Sequence, residues 1–227
     1  MAAKAFLNEA DHQRVSDAVA QAEALSDGEI VTIVARSSDA YHDVGLHWAI
    51  GTAFLALGVY AAFPGFYRNL LLDVAGGWEH EISDRFFLTT IFVACVLKFL
   101  FVRYLLVIRP LRMALTPGAT KNRRVRRRAL ALFRAAAEQR TRAATAVLIY
   151  LSLDEHRAEI VADAAIRAKV DESVWGDAMA ALITHVRAGQ AGEGIAEAVR
   201  QVGVVLAAHF PRSEDDRNEL PDRLIEL

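Results

Sequence analysis

A chain of 227 residues has room for one domain, or for one small domain with an appendage. Its formal net charge of −2 hides an uneven distribution, while a hydrophobic content of 54% and a mean hydropathy of +0.21 are high for a water-soluble protein and point to membrane segments. The single cysteine, Cys95, excludes an intramolecular disulfide and a cysteine-built metal site, and its place in an apolar run reads as a small buried hydrophobe.

The opening stretch, MAAKAFLNEADHQRV, has no long apolar core ahead of its charges, so no cleavable signal peptide is expected. Asn8 to Leu25 predicts a helix capped by Asn8, with Val15, Ala18, Val19 and Ala22 on one face. SDG ends it, and EIVTIVARS follows as a strand. Its core, Ile30 to Ala35, is apolar at nearly every position, the pattern of a strand covered on both faces.

Between Asp43 and Arg68 there is no Asp, Glu, Lys or Arg. As a helix, VGLHWAIGTAFLALGVYAAFPGFY is about 36 Å long at about 1.5 Å per residue, enough to cross a hydrocarbon core of about 30 Å. Trp48 at its start and Tyr60, Phe63, Phe66 and Tyr67 at its end resemble interfacial belts. A second run, Phe86 to Ile108, is interrupted by Lys98 and Arg103, long basic side chains that near a helix end reach the interface by snorkelling. The alternative, two buried helices of a soluble core, is disfavoured by the length and cleanliness of the first run.

The charge asymmetry then acquires a topological meaning. Arg103 to Arg142 holds twelve Lys and Arg against one acid, Glu138, and positive flanks mark the cytoplasmic side. The loop RNLLLDVAGGWEHEISDR carries four acids and two Arg and is expected on the opposite side. Two spans bring both termini to the cytoplasm. Arg109, Arg112, Lys121, Arg123, Arg124, Arg126, Arg127 and Arg128 become candidates for contact with anionic lipid headgroups.

Asn122 to Gln139 predicts an amphipathic helix, with Val125, Ala129, Leu132, Phe133 and Ala136 on its apolar face. TAVLIYLS is a second nearly all-apolar strand. LDEH turns into the alternating RAEIVAD, its antiparallel partner. Glu172 to Arg187 and Gly194 to His209 are two further helices, the first with Val174, Trp175, Ala178, Met179, Leu182 and Val186 facing inward, the second with Ile195, Val199, Val202 and Leu206. PRSEDDRNELPDRLIEL reads as a loosely docked polar tail. The predicted fold class is α/β, a small mixed sheet flanked by helices, with a two-helix transmembrane hairpin inserted in the βαβ crossover. Residues 1–43 supply the first helix and strand, 44–108 the hairpin with spans at about 45–66 and 86–106, 109–210 the remainder of the domain, and 211–227 the tail.

SDGEIVTIVARSSD, RRVRRRALALF, RTRAATAVLIYLSLDEHRAEIVADAAIRAKV and NELPDRLIEL together resemble bacterial membrane-anchored proteins of the TPM domain family. The resemblance implies an α/β sandwich. It also carries an expectation from plant relatives that act as acid phosphatases and bind a divalent cation through acidic loop residues. Bacterial relatives often accompany a LemA-like membrane protein, which makes such a protein the expected partner. The chain departs from the phosphatase-like pattern in having DAAIRAKVDESVW, from Asp163, in place of a glycine-rich turn after the third strand. It departs again in a cytoplasmic rather than lumenal or periplasmic placement.

Asp154, Glu155, Asp163, Asp171 and Glu172 are the candidate oxygen ligands for Ca²⁺ or Mg²⁺, of which only Asp163 falls where the resemblance places an acidic residue. Turn and cap chemistry explains the same residues without a metal: Asp154 and Glu155 suit a hairpin turn and Asp171 an N-cap. His42, Asp43 and His47 flank the first span, but the two histidines at i and i+5 do not share a helix face, and His80 is a polar loop residue. No GxSxG, HExxH, P-loop or strand-to-helix GxGxxG occurs, so serine-based and nucleotide-dependent catalysis lack support. Nucleic-acid binding is disfavoured because stacking aromatics are missing beside the basic block. The expected role is a regulatory or interaction/assembly module at the cytoplasmic face of the inner membrane, self-association left open, with a divalent-metal-dependent phosphatase as the alternative.

Overall fold

The computed structural model describes residues 6–74, 82–136, 145–214 and 219–227. Glu79, His80 and Glu81 of the acidic loop, Glu138 and Gln139 at the predicted helix end, and Arg140 and Arg142 lie outside the described residues. The chain divides into two compact units, one formed by Met1–Asp39 with Pro117–Leu227 and the other by Ala40–Thr116.

The first unit is built on two strands with no polar face. β1 (Glu29–Ala35) and β2 (Ala146–Ser152) are buried at every position and pair in parallel, Glu29 against Ala146 through Ala35 against Ser152. Their side chains alternate between two cores, as the period of two in a strand requires. Ile30, Val34, Val147, Ile149 and Leu151 face one core. There they meet α1 (Glu9–Glu23), α8 (Gly176–Arg187) and α9 (Ala191–His209). Val31, Ile33, Leu148 and Tyr150 face the other, against Val125, Ala129 and Phe133 of α6 (Gly118–Ala136). Each buried Val, Leu or Ile contributes about 1.5–3 kcal/mol, so helices on both faces are a condition of these strands existing at all. Gly203 shows how tightly one layer closes: a Cβ there would stand 2.6 Å from Ala22 Cβ, so α1 and α9 meet only because α9 has no side chain at the crossing.

β3 (Arg157–Ala162) runs antiparallel to β2 as its alternating sequence predicts, and α7 (Ala164–Lys169) follows it. Glu172–Trp175 is a 3₁₀ turn leading into α8. Val174, expected inside, is 45% exposed, because this turn ends before α8 begins and breaks the helical register.

The C-terminus corrects the reading of a loose tail. Ile225–Glu226 forms β4, parallel to β1, and completes the sheet in the order β3-β2-β1-β4. Leu220 and Leu224 are buried. Glu29 accepts the N–H groups of Glu219 (3.1 Å) and Leu220 (3.2 Å). Glu226 accepts those of Phe6 (2.8 Å) and Leu7 (3.1 Å) and lies 2.9 Å from His12 Nε2. Burial opposes ionisation of Glu226, but these bonds outweigh it and hold its pKa below the usual carboxylate value. Polar composition concealed the docking because its anchors are carboxylate-to-backbone bonds, which leave no hydrophobic pattern.

The second unit contains α2 (His42–Ala62), α3 (Pro64–Val74), α4 (Asp84–Leu105) and α5 (Arg109–Ala114). α2 and α4 are long and apolar enough to cross a membrane, with mean hydropathies of 1.5 and 2.1 and only 22% and 6% of their apolar windows buried. They pack through small residues of α2: Gly45, Ala49 and Ala56 are buried, and a Cβ at Gly45 would meet Leu106 Cβ at 3.4 Å, the close approach that small residues allow. The first helix stops at Ala62, short of the expected Phe66, because Pro64 cannot continue it and opens α3 instead.

One buried acid yields a pH prediction. Glu23 accepts the Ile30 N–H at 2.8 Å, while burial, reinforced by the charges of Glu29 and Asp222, pushes its pKa up from 4.5 to about 8. A carboxyl that holds its proton more tightly when folded stabilises fully below the unfolded value, and that contribution is lost as pH rises through the folded one. Stability should therefore decline from about pH 4.5 to about pH 8. Glu23→Gln should melt above the wild type at pH 8 and level with it near pH 4; equal melting temperatures at both would show that Glu23 is not protonated in the folded state.

Candidate functional site

Adjacent parallel strands bring their following loops to one end of the sheet, the usual place for a ligand in α/β folds. Here that end carries Arg36 to Asp39 after β1 and Leu153 to His156 after β2. The pairing continues past the strands, with Leu153 N–H donating to Ala35 O (3.0 Å) and Asp154 N–H to Arg36 O (2.9 Å). His156, at φ +49°, then turns the chain back into β3.

Glu155 is the centre of this end. It is 3% exposed, and its carboxylate accepts the Ser38 N–H (2.9 Å), the Ser37 hydroxyl (3.4 Å) and the Ser152 hydroxyl. A buried carboxylate held by three donors is satisfied where it stands. Ser38 Oγ also lies 3.0 Å from the Tyr150 hydroxyl. Burial raises the Tyr150 pKa above its ordinary value in spite of its bonds to Ser38 and Ser152, so the phenol stays protonated at neutral pH.

The basic helix closes the site from one side. Asp39 Oδ2 is 3.3 Å from Arg124 Nη1 and 3.4 Å from Arg127 Nη2, and Arg126 Nη1 is 3.8 Å from Glu159. Arg124 is only 12% exposed in its side chain, against 74% for Arg127; Arg123 and Arg128 are exposed and Lys121 is half-buried. The block thus divides. Part of it locks the loop that leaves β1, and part faces outward. Arg109 is exposed at the start of α5. Arg112 departs from its expected place at the lipid surface: it is 6% exposed and donates to Leu106 O at 3.2 Å, tying down a carbonyl just past the end of α4.

The candidate metal ligands are dispersed. Asp154 and Glu155 lie at the β2–β3 turn, whereas Asp163 follows the far end of β3, which over the six residues of that strand is about 20 Å at about 3.3 Å per residue. Both positions are strand ends, and only the antiparallel register reveals that they are opposite ends. Asp154 Oδ1 lies 4.0 Å from Arg36 Nε. Asp163 caps α7 by accepting the Ala164 N–H at 2.8 Å. Its other oxygen is buried with no hydrogen-bond partner among the described residues. Asp171 caps the 3₁₀ turn through Ser173 N–H at 2.9 Å, and its bonds to Ser173 lower its pKa. Glu172 opens that turn. His42, Asp43 and His47 are exposed in the first turns of α2, and His80 lies outside the described residues. Among the described residues no three His, Cys, Asp or Glu gather as a metal ion requires.

A cleft of about 280 Å³ lies beside β3, lined among others by Arg126, Glu159, Arg167, Asp171 and Trp175. Its two arginines are balanced by two carboxylates, which leaves no net positive charge for a phosphoryl group. Ser37, Ser38 and Asp39 were not singled out from the sequence. The only signal was a run of turn-forming residues, SSD, after an apolar strand, and it does not reveal the carboxylate the serines bind.

The chain was compared with known proteins. The family model described as TPM domain matches residues 111–205, and among curated proteins none matches. Among solved structures, the NMR structure of the BA42 protein from the psychrophilic bacterium Bizionia argentinensis sp. nov. aligns over 99% of this chain and 97% of that one. The TM-score is 0.56 and the identity 17%, a likeness of fold alone. The TPM-domain match thus covers residues 111–205, and the likeness to BA42 extends to the α/β architecture of the whole chain.

Proposed function

We propose that the protein is anchored in the bacterial inner membrane by α2 and α4, with both termini cytoplasmic. There its TPM domain works as a regulatory or assembly module through contacts with another membrane protein, one of the LemA-like kind that the family resemblance suggests. The observation that carries the anchoring is the exposure of large apolar side chains along both helices: Phe54, Leu55, Phe92, Leu97 and Phe101 are each 61–69% exposed. Core helices of a soluble protein bury such residues, and a patch of this extent left in water is a liability. Orientation follows from Arg103 in the last turn of α4 and from Arg109 and the outward arginines of α6, which come after that helix in the chain. Near an anionic bilayer each contributes about 1 kcal/mol.

A non-enzymatic role is supported by the way the strand-end groups satisfy one another. Catalysis of phosphoryl transfer needs a nucleophile or metal-activated water, with cations aimed at the transferred group. Glu155 is committed to three donors and Asp39 to two arginines. One observation favours the rival, a divalent-metal-dependent phosphatase: the buried, unpartnered oxygen of Asp163, where a cation would find its first ligand.

A stable complex with another membrane protein should be recovered from detergent-solubilised native membranes, and the purified chain should hydrolyse an aryl phosphate no faster with Ca²⁺ or Mg²⁺ than without. Cation-dependent turnover from an isolated monomer, abolished in Asp163→Asn, would establish the phosphatase and overturn the assembly role. Orientation is checked separately with alkaline phosphatase fused to the C-terminus. The fusion should be inactive, and bright activity would reverse the topology.

A further inference from the structure

The apolar run after Asp43 does not continue as one straight helix. α2 ends at Ala62 and α3 runs from Pro64 to Val74, with exposed side chains divided by chemistry. Phe66, Leu70 and Val74 are 65%, 45% and 78% exposed and recur every fourth residue. At about 100° per residue they form a strip about 80° wide. Asn69 and Asp73, also exposed, lie along one edge of that strip, while the half-buried Tyr67, Leu71, Arg68 and Leu72 run from its other edge around the back of the helix.

α3 is not free to rotate this strip inward. Arg68 donates to Ile82 O (3.2 Å) and to Asp84 Oδ1 (2.8 Å), and its guanidinium lies 4.8 Å from the centre of the Phe87 ring. These contacts pin α3 to the start of α4. On the other side the Tyr67 ring packs edge-on against Tyr60 of α2 at 4.6 Å and against Phe66 at 5.2 Å. The strip therefore points outward by construction, and the polar edge beside it is the arrangement of a helix lying in a plane between apolar and aqueous phases.

We propose that α3 is an interfacial helix, with Phe66, Leu70 and Val74 seated at the boundary of headgroups and acyl chains on the side of the bilayer away from the basic flank. The proposal rests on the membrane reading of α2 and α4. Lipid is the occupant because the strip continues directly from the exposed end of α2 through Phe63, 62% exposed. The aromatic cluster Tyr60, Phe63, Phe66 and Tyr67 is also of the kind enriched at membrane interfaces. Three side chains make a strip far smaller than the roughly 1,200–2,000 Å² that a stable protein interface buries.

Spin labelling of the full chain in bilayers of phosphatidylethanolamine and phosphatidylglycerol tests this. In a Cys95→Ala background, nitroxides are attached singly through Phe66→Cys, Leu70→Cys, Val74→Cys, Asn69→Cys and Asp73→Cys, with Phe54→Cys in α2 as the control. Accessibility to oxygen, which partitions into lipid, is read against accessibility to a water-soluble nickel complex. The oxygen-to-nickel ratio should be severalfold higher at 66, 70 and 74 than at 69 and 73. A high ratio at 54 with equal, water-like ratios at all five positions of α3 would overturn the interfacial helix and spare the spans. Shielding of 66, 70 and 74 from both reagents would also overturn it, in favour of a protein cover. A water-like ratio at 54 would bring down the membrane reading itself.

Discussion

The parallel contact between β1 and β2 is the interaction on which the rest of the structure depends. Each strand is buried along its whole length, and neither has a polar face on which it could rest alone. In sequence the whole of α2 to α6 lies between them. A closed loop of this length costs little more than a shorter one, since each doubling adds only about 0.6 kcal/mol, whereas each apolar side chain buried on pairing contributes about 1.5–3 kcal/mol. An insertion as large as Ala40–Thr116 is thus compatible with a cooperative domain, provided that its two ends return to one place. α6 meets that condition by covering the sheet with Val125, Ala129 and Phe133. Its Arg124 and Arg127 fasten Asp39, the last residue of the first segment.

The same helix shows how one stretch of sequence serves two demands. Its apolar positions belong to the sheet and most of its basic positions face outward, so a block dense enough to suggest a ligand patch is mostly the solvent side of a core helix. Arg124 and Arg127 hold an acid of the same unit, which lowers the charge free for any partner. The C-terminal strand follows a related logic: Glu29 and Glu226 present carboxylates to main-chain N–H groups, and these bonds seat a segment with little apolar surface of its own.

Elements governed by periodicity were legible before the structure. α1, β1, α6, β2 and β3 follow from apolar patterns, and the two long apolar helices follow from length and composition. What escaped was set by single residues or by register. Pro64 splits the aromatic end of the first apolar run from α2. A two-residue strand is too short to announce itself. Asp163 and Asp154 look equivalent as strand-end acids until the antiparallel pairing of β2 and β3 separates them. The site was least legible, because Glu155 gains its meaning from Ser37 and Ser38, which lie beyond the entire insertion and share no motif with it.

The central claim is that residues from both sides of the hairpin form one folding unit. Deuterium uptake of peptides covering Ala146–Ser152 tests it most directly, measured in the full chain and in a chain lacking residues 1–39, both in the same bilayer mimetic. Slow exchange in the full chain and rapid exchange in the truncated one is the predicted result, since β2 without β1 loses its parallel partner and much of both cores. Equal protection in the two chains would contradict the account by showing that the C-terminal segment folds without β1.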